Sequence, residues 1–257
     1  MLTPPEIARS LLAAGESKAR LPFGKMLLLA ILAGAYIALA GVGATAAAVT
    51  VESGSLAKLL SACVFPAGLS MVILAGSELF TGNCLMVMAL LERRITPAQL
   101  LRNWLTVYLG NAVGGAAVAA LAVYSHTASL FGDGLARSMV SIAESKAALG
   151  AGDAFLRGVL CNFLVCLAVW MAAASKRAEG KVIALFFPIL LFVLCGYEHC
   201  IANLYYLPAG AFAAAEYGVE TTLTLAGCLE NLAAVTLGNL VGGAALGVGY
   251  RFAYLKE

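Results

Sequence analysis

Apolar residues run along this chain in blocks about as long as a membrane is thick, separated by short polar or charged stretches. About 20 residues of helix cross roughly 30 Å of hydrocarbon. Uninterrupted apolar runs of that length lie near 26–51, 100–124, 155–175 and 229–250. Two further runs, near 60–91 and 182–214, carry polar breaks: GSELFTGN from Gly76 to Asn83, and GYEHCIAN from Gly196 to Asn203. Both breaks follow one pattern, G-x-E-x-x-x-x-N. The pattern predicts six transmembrane spans, the second and fifth split into half-helices that resume near Cys84 and Leu204.

The third and sixth spans are related in sequence. NWLTVYLGNAVGGAA from Asn103 and NLAAVTLGNLVGGAA from Asn231 agree at ten of fifteen positions, at an offset of 128. A weaker echo at the same offset joins ILAGAYIALAG from Ile31 to VLCNFLVCLAV from Val159. The chain is a duplicated unit of three spans. An odd number of spans per copy turns the second copy upside down, which makes an inverted repeat with matched interruptions. In membrane proteins such interruptions mark a binding site or pore. The expected organisation is one all-α integral membrane domain: an amphipathic N-terminal helix in 1–25, repeat one in 26–125, a connection in 126–152 and repeat two in 153–257.

Composition agrees, with 62% hydrophobic residues, 12% charged residues and a mean hydropathy of +0.93. Charge placement orients the spans. With the N-terminus inside, twelve of the sixteen basic residues are cytoplasmic, from Arg9 and Lys18 to Arg251 and Lys256. Lys58, Arg137, Lys146 and Arg157 remain outside, as the positive-inside rule requires. The expected location is a bacterial plasma membrane, with both termini cytoplasmic. The first twenty residues read as a surface helix rather than a cleaved leader. Thr3 and Glu6 form its capping box, Pro4 opens it, and Ile7, Leu11 and Ala14 share one face.

Several function classes drop out. No basic patch of nucleic-acid type is present. The seven cysteines form no C-x-x-C pair and sit mostly within apolar spans, so they read as small core residues. With two histidines, His126 and His199, a zinc site is poorly supplied, and no metal or cofactor is expected. An enzyme or redox carrier lacks its chemistry here.

The breaks hold the candidate chemistry. Unpaired backbone in lipid costs several kcal/mol per group, so each break must face protein or a wet cavity. Gly76 and Gly196 open the breaks, and Asn83 and Asn203 close them. The half-helix N-termini beyond them are expected to offer partial positive charge and free N–H donors to a small anion. His199 lies at membrane depth, where ionisable groups are functional by default, and its proton moves near neutral pH. Thr81 offers a hydroxyl at the matching depth, for the path or for a helix carbonyl. Glu78 and Glu198 read as structural, each accepting from backbone N–H groups of its own broken helix. Asn103, Asn111, Asn231 and Asn239 read as glue between helices. Lys146, in the outer connection, reads as a solvated charge.

These motifs, GSELFTGN, NWLTVYLGN, CNFLVCLAVW, GYEHCIANLYYLPAG and LGNLVGG, resemble in order the motif set of the formate/nitrite transporter family, from span two to span six. The resemblance implies an aquaporin-like protomer, a homopentamer with one pore per protomer, and passage of small monovalent weak-acid anions with protons taking part. Formate is the expected cargo, with nitrite or hydrosulfide as alternatives and an aquaporin-like neutral-solute pore as a further one. N-P-A, which a water or glycerol channel would show, is missing from both breaks. The resemblance also makes Thr81 the loop threonine, His199 the central histidine, Asn162 a pore asparagine and Lys146 a vestibule lysine. It implies two apolar constrictions built from Phe65, Leu69, Leu79, Phe80 and Phe192. GYEHC departs from the family pattern, with Tyr197 and Cys200 where phenylalanine and serine are more usual.

Overall fold

The computed structural model describes residues 1–255, so Lys256, counted above among the inner charges, lies outside the described residues. Twelve α-helices and two 3-10 turns make up the described chain. An amphipathic helix α1 (Pro4–Ala19) precedes α2 (Phe23–Ala48), and α3 (Gly54–Val64) and α4 (Pro66–Ala75) form the first half of span two. Its second half is α5 (Phe80–Asn83), a 3-10 turn and α6 (Val87–Leu91), and α7 (Pro97–Tyr124) completes the first set. The second set runs α8 (Gly134–Ala147), α9 (Ala151–Ala173), α10 (Ala178–Leu194), α11 (Cys200–Tyr217) and α12 (Leu225–Tyr254). The four uninterrupted spans lie within about one turn of their expected limits. Among the described residues, five helices are long and apolar enough to cross a membrane: α2, α3–α4 read as one, α7, α9 and α12. The remaining span is the split pair α10 and α11.

Small residues set how closely the spans pack. α2 lies against α7 and α9 against α12, and both crossings bring backbone to backbone. A Cβ added at Gly114 would lie 2.0 Å from the Ile31 carbonyl oxygen, and one at Gly242 would lie 2.1 Å from that of Val159. These are the same crossing in the two repeats, offset by 128. Removing the side chain lets dispersion contacts form along the whole helix, the main attraction available between helices in lipid.

The connection 126–152 holds more than a loop. Its helix α8 is the counterpart of α1: Arg9-Ser10 and Glu16-Ser17-Lys18-Ala19 recur as Arg137-Ser138 and Glu144-Ser145-Lys146-Ala147. Each copy is thus an amphipathic helix followed by three spans. α1 does not lie free on a surface. Its capping box forms, Ile7 and Ala8 bury against Met88 and Trp170, and the Leu2 N–H donates to the Ala174 carbonyl at 2.8 Å.

Candidate functional site

The breaks are sharper than the sequence suggested. Gly76 and Gly196 take positive φ, +79° and +69°, which a residue with a Cβ adopts only under strain. Helix resumes at Phe80 and Cys200, about one turn earlier than expected at Cys84 and Leu204. The reason lies in two asparagines. The Asn111 side-chain oxygen accepts from the Phe80 N–H at 3.0 Å, while its amide donates to the carbonyls of Ala30 (2.7 Å) and Glu78 (2.9 Å). Asn239 repeats the set on Cys200 (2.9 Å), Gly158 (2.8 Å) and Glu198 (2.9 Å). Each asparagine therefore answers backbone groups freed by a break and staples a third helix to it. Three of the N–H donors expected to be free are spent: Phe80 and Cys200 on the asparagines, and Ala202 on His199.

The glutamates are held differently from expectation. Glu78 accepts from the Lys18 ammonium at 2.7 Å and the Asn83 amide at 2.7 Å, and Asn83 also donates to Asn103 at 2.9 Å. Glu198 accepts from Lys146 at 2.9 and 3.0 Å and from Asn203 at 2.7 Å, and Asn203 donates to Asn231 at 2.8 Å. Ammonium and side-chain amides, not backbone N–H groups, satisfy both carboxylates, because an ammonium from the amphipathic helix brings the compensating charge as well as the donor. Lys146 is thus an ion-paired lysine rather than a solvated one. Sequence reasoning passed over Lys18. Its signal was the recurrence of Glu-Ser-Lys-Ala at offset 128.

Three cavities line up through the protomer. One of about 390 Å³ opens on the α1 side and is lined by Lys18, Gly76, Glu78 and Asn83, ending at Leu69 and Leu79. Another of about 360 Å³ opens on the α8 side and is lined by Lys58, Lys146, Arg157 and Glu198, ending at Phe65, Phe192 and His199. Between them lies a chamber of about 10 Å³ walled by those same end residues, with Ile37, Val165 and Ile189. That space holds no more than about one water. The walls are two apolar septa: Leu69 with Leu79, and Phe65 with Phe192, whose rings meet edge to face at 5.6 Å.

His199 belongs to the second septum. Its ring stacks on Phe192 at 5.8 Å, and it caps α11 by accepting from the Ala202 N–H at 3.1 Å through Nδ1. In the neutral ring an accepting Nδ1 leaves the proton on Nε2, which lies 2.9 Å from the Thr81 hydroxyl oxygen. Nε2–H donates there, and the Thr81 hydroxyl keeps its own proton to give.

Other candidates sit behind the path. Thr81 and Asn162 are fully buried, and the Asn162 amide donates to the Thr81 carbonyl at 3.3 Å and the Asn239 carbonyl at 2.7 Å. They touch the path through His199 and the breaks rather than lining it. Phe80 is not among the residues lining the three cavities; its ring stands edge-on to Tyr108 and Trp104 at 5.1 and 6.5 Å. Asn203 is buried in the Glu198 cluster. Gly196 and Tyr197 line the α8-side cavity, and Cys200 is fully buried.

Residues 5–253 match the family model described as formate/nitrite transporter. A probable formate transporter of Methanothermobacter thermautotrophicus is 39% identical, over 99% of this chain and 98% of that protein. The formate channel FocA of Haemophilus influenzae is 39% identical over 86% of this chain and 84% of its own. Among solved structures, an FNT family ion channel superposes with a TM-score of 0.87 at 32% identity, over 96% of this chain and 98% of the other. A pentameric formate channel with formate bound gives 0.80 at 33% identity, over 91% and 98%.

Proposed function

This chain belongs to the formate/nitrite transporter family, and on that premise we propose that it conducts small monovalent weak-acid anions, formate first among them, across a bacterial plasma membrane. It works as a homopentamer with one path per protomer and both termini in the cytoplasm. The α1-side vestibule then faces inward and the α8-side vestibule outward.

One observation carries the reading: His199 stands at an apolar septum between two polar vestibules, over a chamber with room for about one water. A hydrated anion cannot cross such a chamber intact, and a bare one loses its solvation there. Apolar surroundings favour the neutral form of the acid. Formate that gains a proton by way of His199 crosses as formic acid and returns the proton on the far side. Thr81 orients the imidazole, Asn162 fixes the Thr81 turn, and Leu69, Leu79, Phe65 and Phe192 keep water from following. Lys18 and Lys146 hold Glu78 and Glu198 at the vestibule mouths.

Light-scattering swelling of proteoliposomes with formate, nitrite, hydrosulfide and glycerol at matched pH tests the cargo. Selective swelling with formate is the expected result. Faster swelling with nitrite or hydrosulfide reassigns the anion, and swelling with glycerol alone defeats the anion reading.

A further inference from the structure

The duplication allows the two vestibules to be compared position by position, and they differ in charge. The α1-side lining carries Lys18 and Glu78, paired at 2.7 Å, and no other ionised side chain among the described residues. The α8-side lining carries the equivalent pair, Lys146 and Glu198 at 2.9 Å, and adds Lys58 and Arg157. Neither addition forms an ion pair among the described residues. The Lys58 ammonium lies 4.0 Å from where a Cβ on Gly196 would stand, over the break itself. Arg157 lends its carbonyl to the Glu198 N–H at 3.3 Å, which fixes its backbone beside the same break. The repeat-related positions are uncharged: Leu29 corresponds to Arg157 at offset 128, and Ala178 to Lys58 at the offset of 120 between the two breaks. With His199 neutral, the α8-side lining sums to +2 and the α1-side lining to zero.

We propose that Lys58 and Arg157 make the α8-side vestibule a saturable station for small monovalent anions, with no counterpart at the other mouth. This rests on the reading that the cargo is an anion and that α8 faces outward. The family-implied vestibule lysine, Lys146, is neutralised by Glu198, so the two unpaired cations set the potential. A low-dielectric cleft of one sign concentrates counter-ions at least about tenfold. At zero voltage and equal pH, a passive path has the same Vmax/KM in both directions. A station at the outer mouth therefore lowers both KM and Vmax for entry relative to exit, and inert anions of the medium compete for it.

The test reads the potential apart from transport. Ser145 lines the same vestibule and is exposed, so Ser145→Cys, with the exposed Cys63 and Cys195 changed to serine, reports from within it. The ratio of labelling rates with an anionic and a cationic methanethiosulfonate is measured with Lys58 and Arg157 intact and as Lys58→Met/Arg157→Met. In parallel, formate KM is taken from right-side-out and inverted vesicles. The double change is expected to lower the ratio about tenfold and raise the outer KM severalfold. Lys58→Arg should keep the ratio of the parent. An unchanged ratio overturns the proposal, and so does a fallen ratio with an unchanged outer KM. A fallen ratio in a protein whose parent passes no formate supports the station and removes formate as its cargo.

Discussion

Asn239→Ala takes away three hydrogen bonds at the break that carries His199. The Cys200 N–H and the Glu198 carbonyl lose the Asn239 side chain as their partner, whereas the Gly158 carbonyl sits within α9 and accepts a helical bond as well. An orphaned buried backbone group costs about 1–3 kcal/mol. A single hydrogen bond between membrane helices is worth about 0.6 kcal/mol on average. Two orphans and one lost interhelical bond come to about 3–7 kcal/mol. Asn103→Ala is the natural comparison. It removes one acceptor from an Asn83 amide that also donates to Glu78, at a cost of about 1 kcal/mol or less. Unfolding in mixed micelles with rising SDS mole fraction measures both. Asn111→Ala should match Asn239→Ala, because its three bonds have the same chemistry in the other repeat. If Asn239→Ala shifted the midpoint no further than Asn103→Ala, the idea that these asparagines replace the broken backbone bonding would be wrong.

Three further outcomes are expected. His199→Asn should lose most acid-coupled formate uptake while the pentamer persists on gel filtration, and uptake equal to wild type would exclude a proton route through the imidazole. Gly114→Ala or Gly242→Ala forces a methyl to within about 2 Å of a carbonyl and should cost about 1–3 kcal/mol or more in the same SDS assay. Gly24→Ala, with nothing within 4 Å, should be silent. Outside the spans, Glu144 accepts from the Thr222 N–H at 2.6 Å and the Thr221 hydroxyl at 2.9 Å, bonds that hold its carboxyl below the ordinary value of 4.5. A lowered folded-state value gives stabilisation that is complete above 4.5 and is lost as pH falls through the lowered value. Hydrogen exchange at the Thr222 amide should therefore quicken in acid beyond the intrinsic rate, and Glu144→Gln should flatten that response.

The spans, the breaks and the inversion were legible because each leaves a periodic or repeated mark on the chain. Apolar block length gives the spans, and a pattern shared at fixed offset gives the duplication. What the breaks do internally was not legible. Irregular backbone has no period, so nothing in Leu79-Phe80-Thr81 says that Leu79 faces the path, Phe80 turns toward Trp104 and Thr81 hides behind His199. The partner of Glu78 was missed for a different reason. Lys18 is sixty residues away on a helix that seemed separate from the spans, and only the tertiary fold brings them together. The repeated Glu-Ser-Lys-Ala gave that away in principle, since one lysine at a break implies another at its twin.

The glycine crossings have a mechanical consequence. Where Gly114 meets Ile31 and Gly242 meets Val159, backbone touches backbone with no side chain between to change rotamer. Rolling or sliding of either pair soon drives a carbonyl into a Cα, so α2 with α7 and α9 with α12 act as stiff beams. The broken spans are built of shorter and softer pieces, four residues in α5, then a 3-10 turn, then five in α6. Phe65 lies at the α3–α4 junction and Leu79 in the first break, so the septa draw residues from the joints of the broken spans. A septum can yield to a small solute while the frame around it keeps its shape.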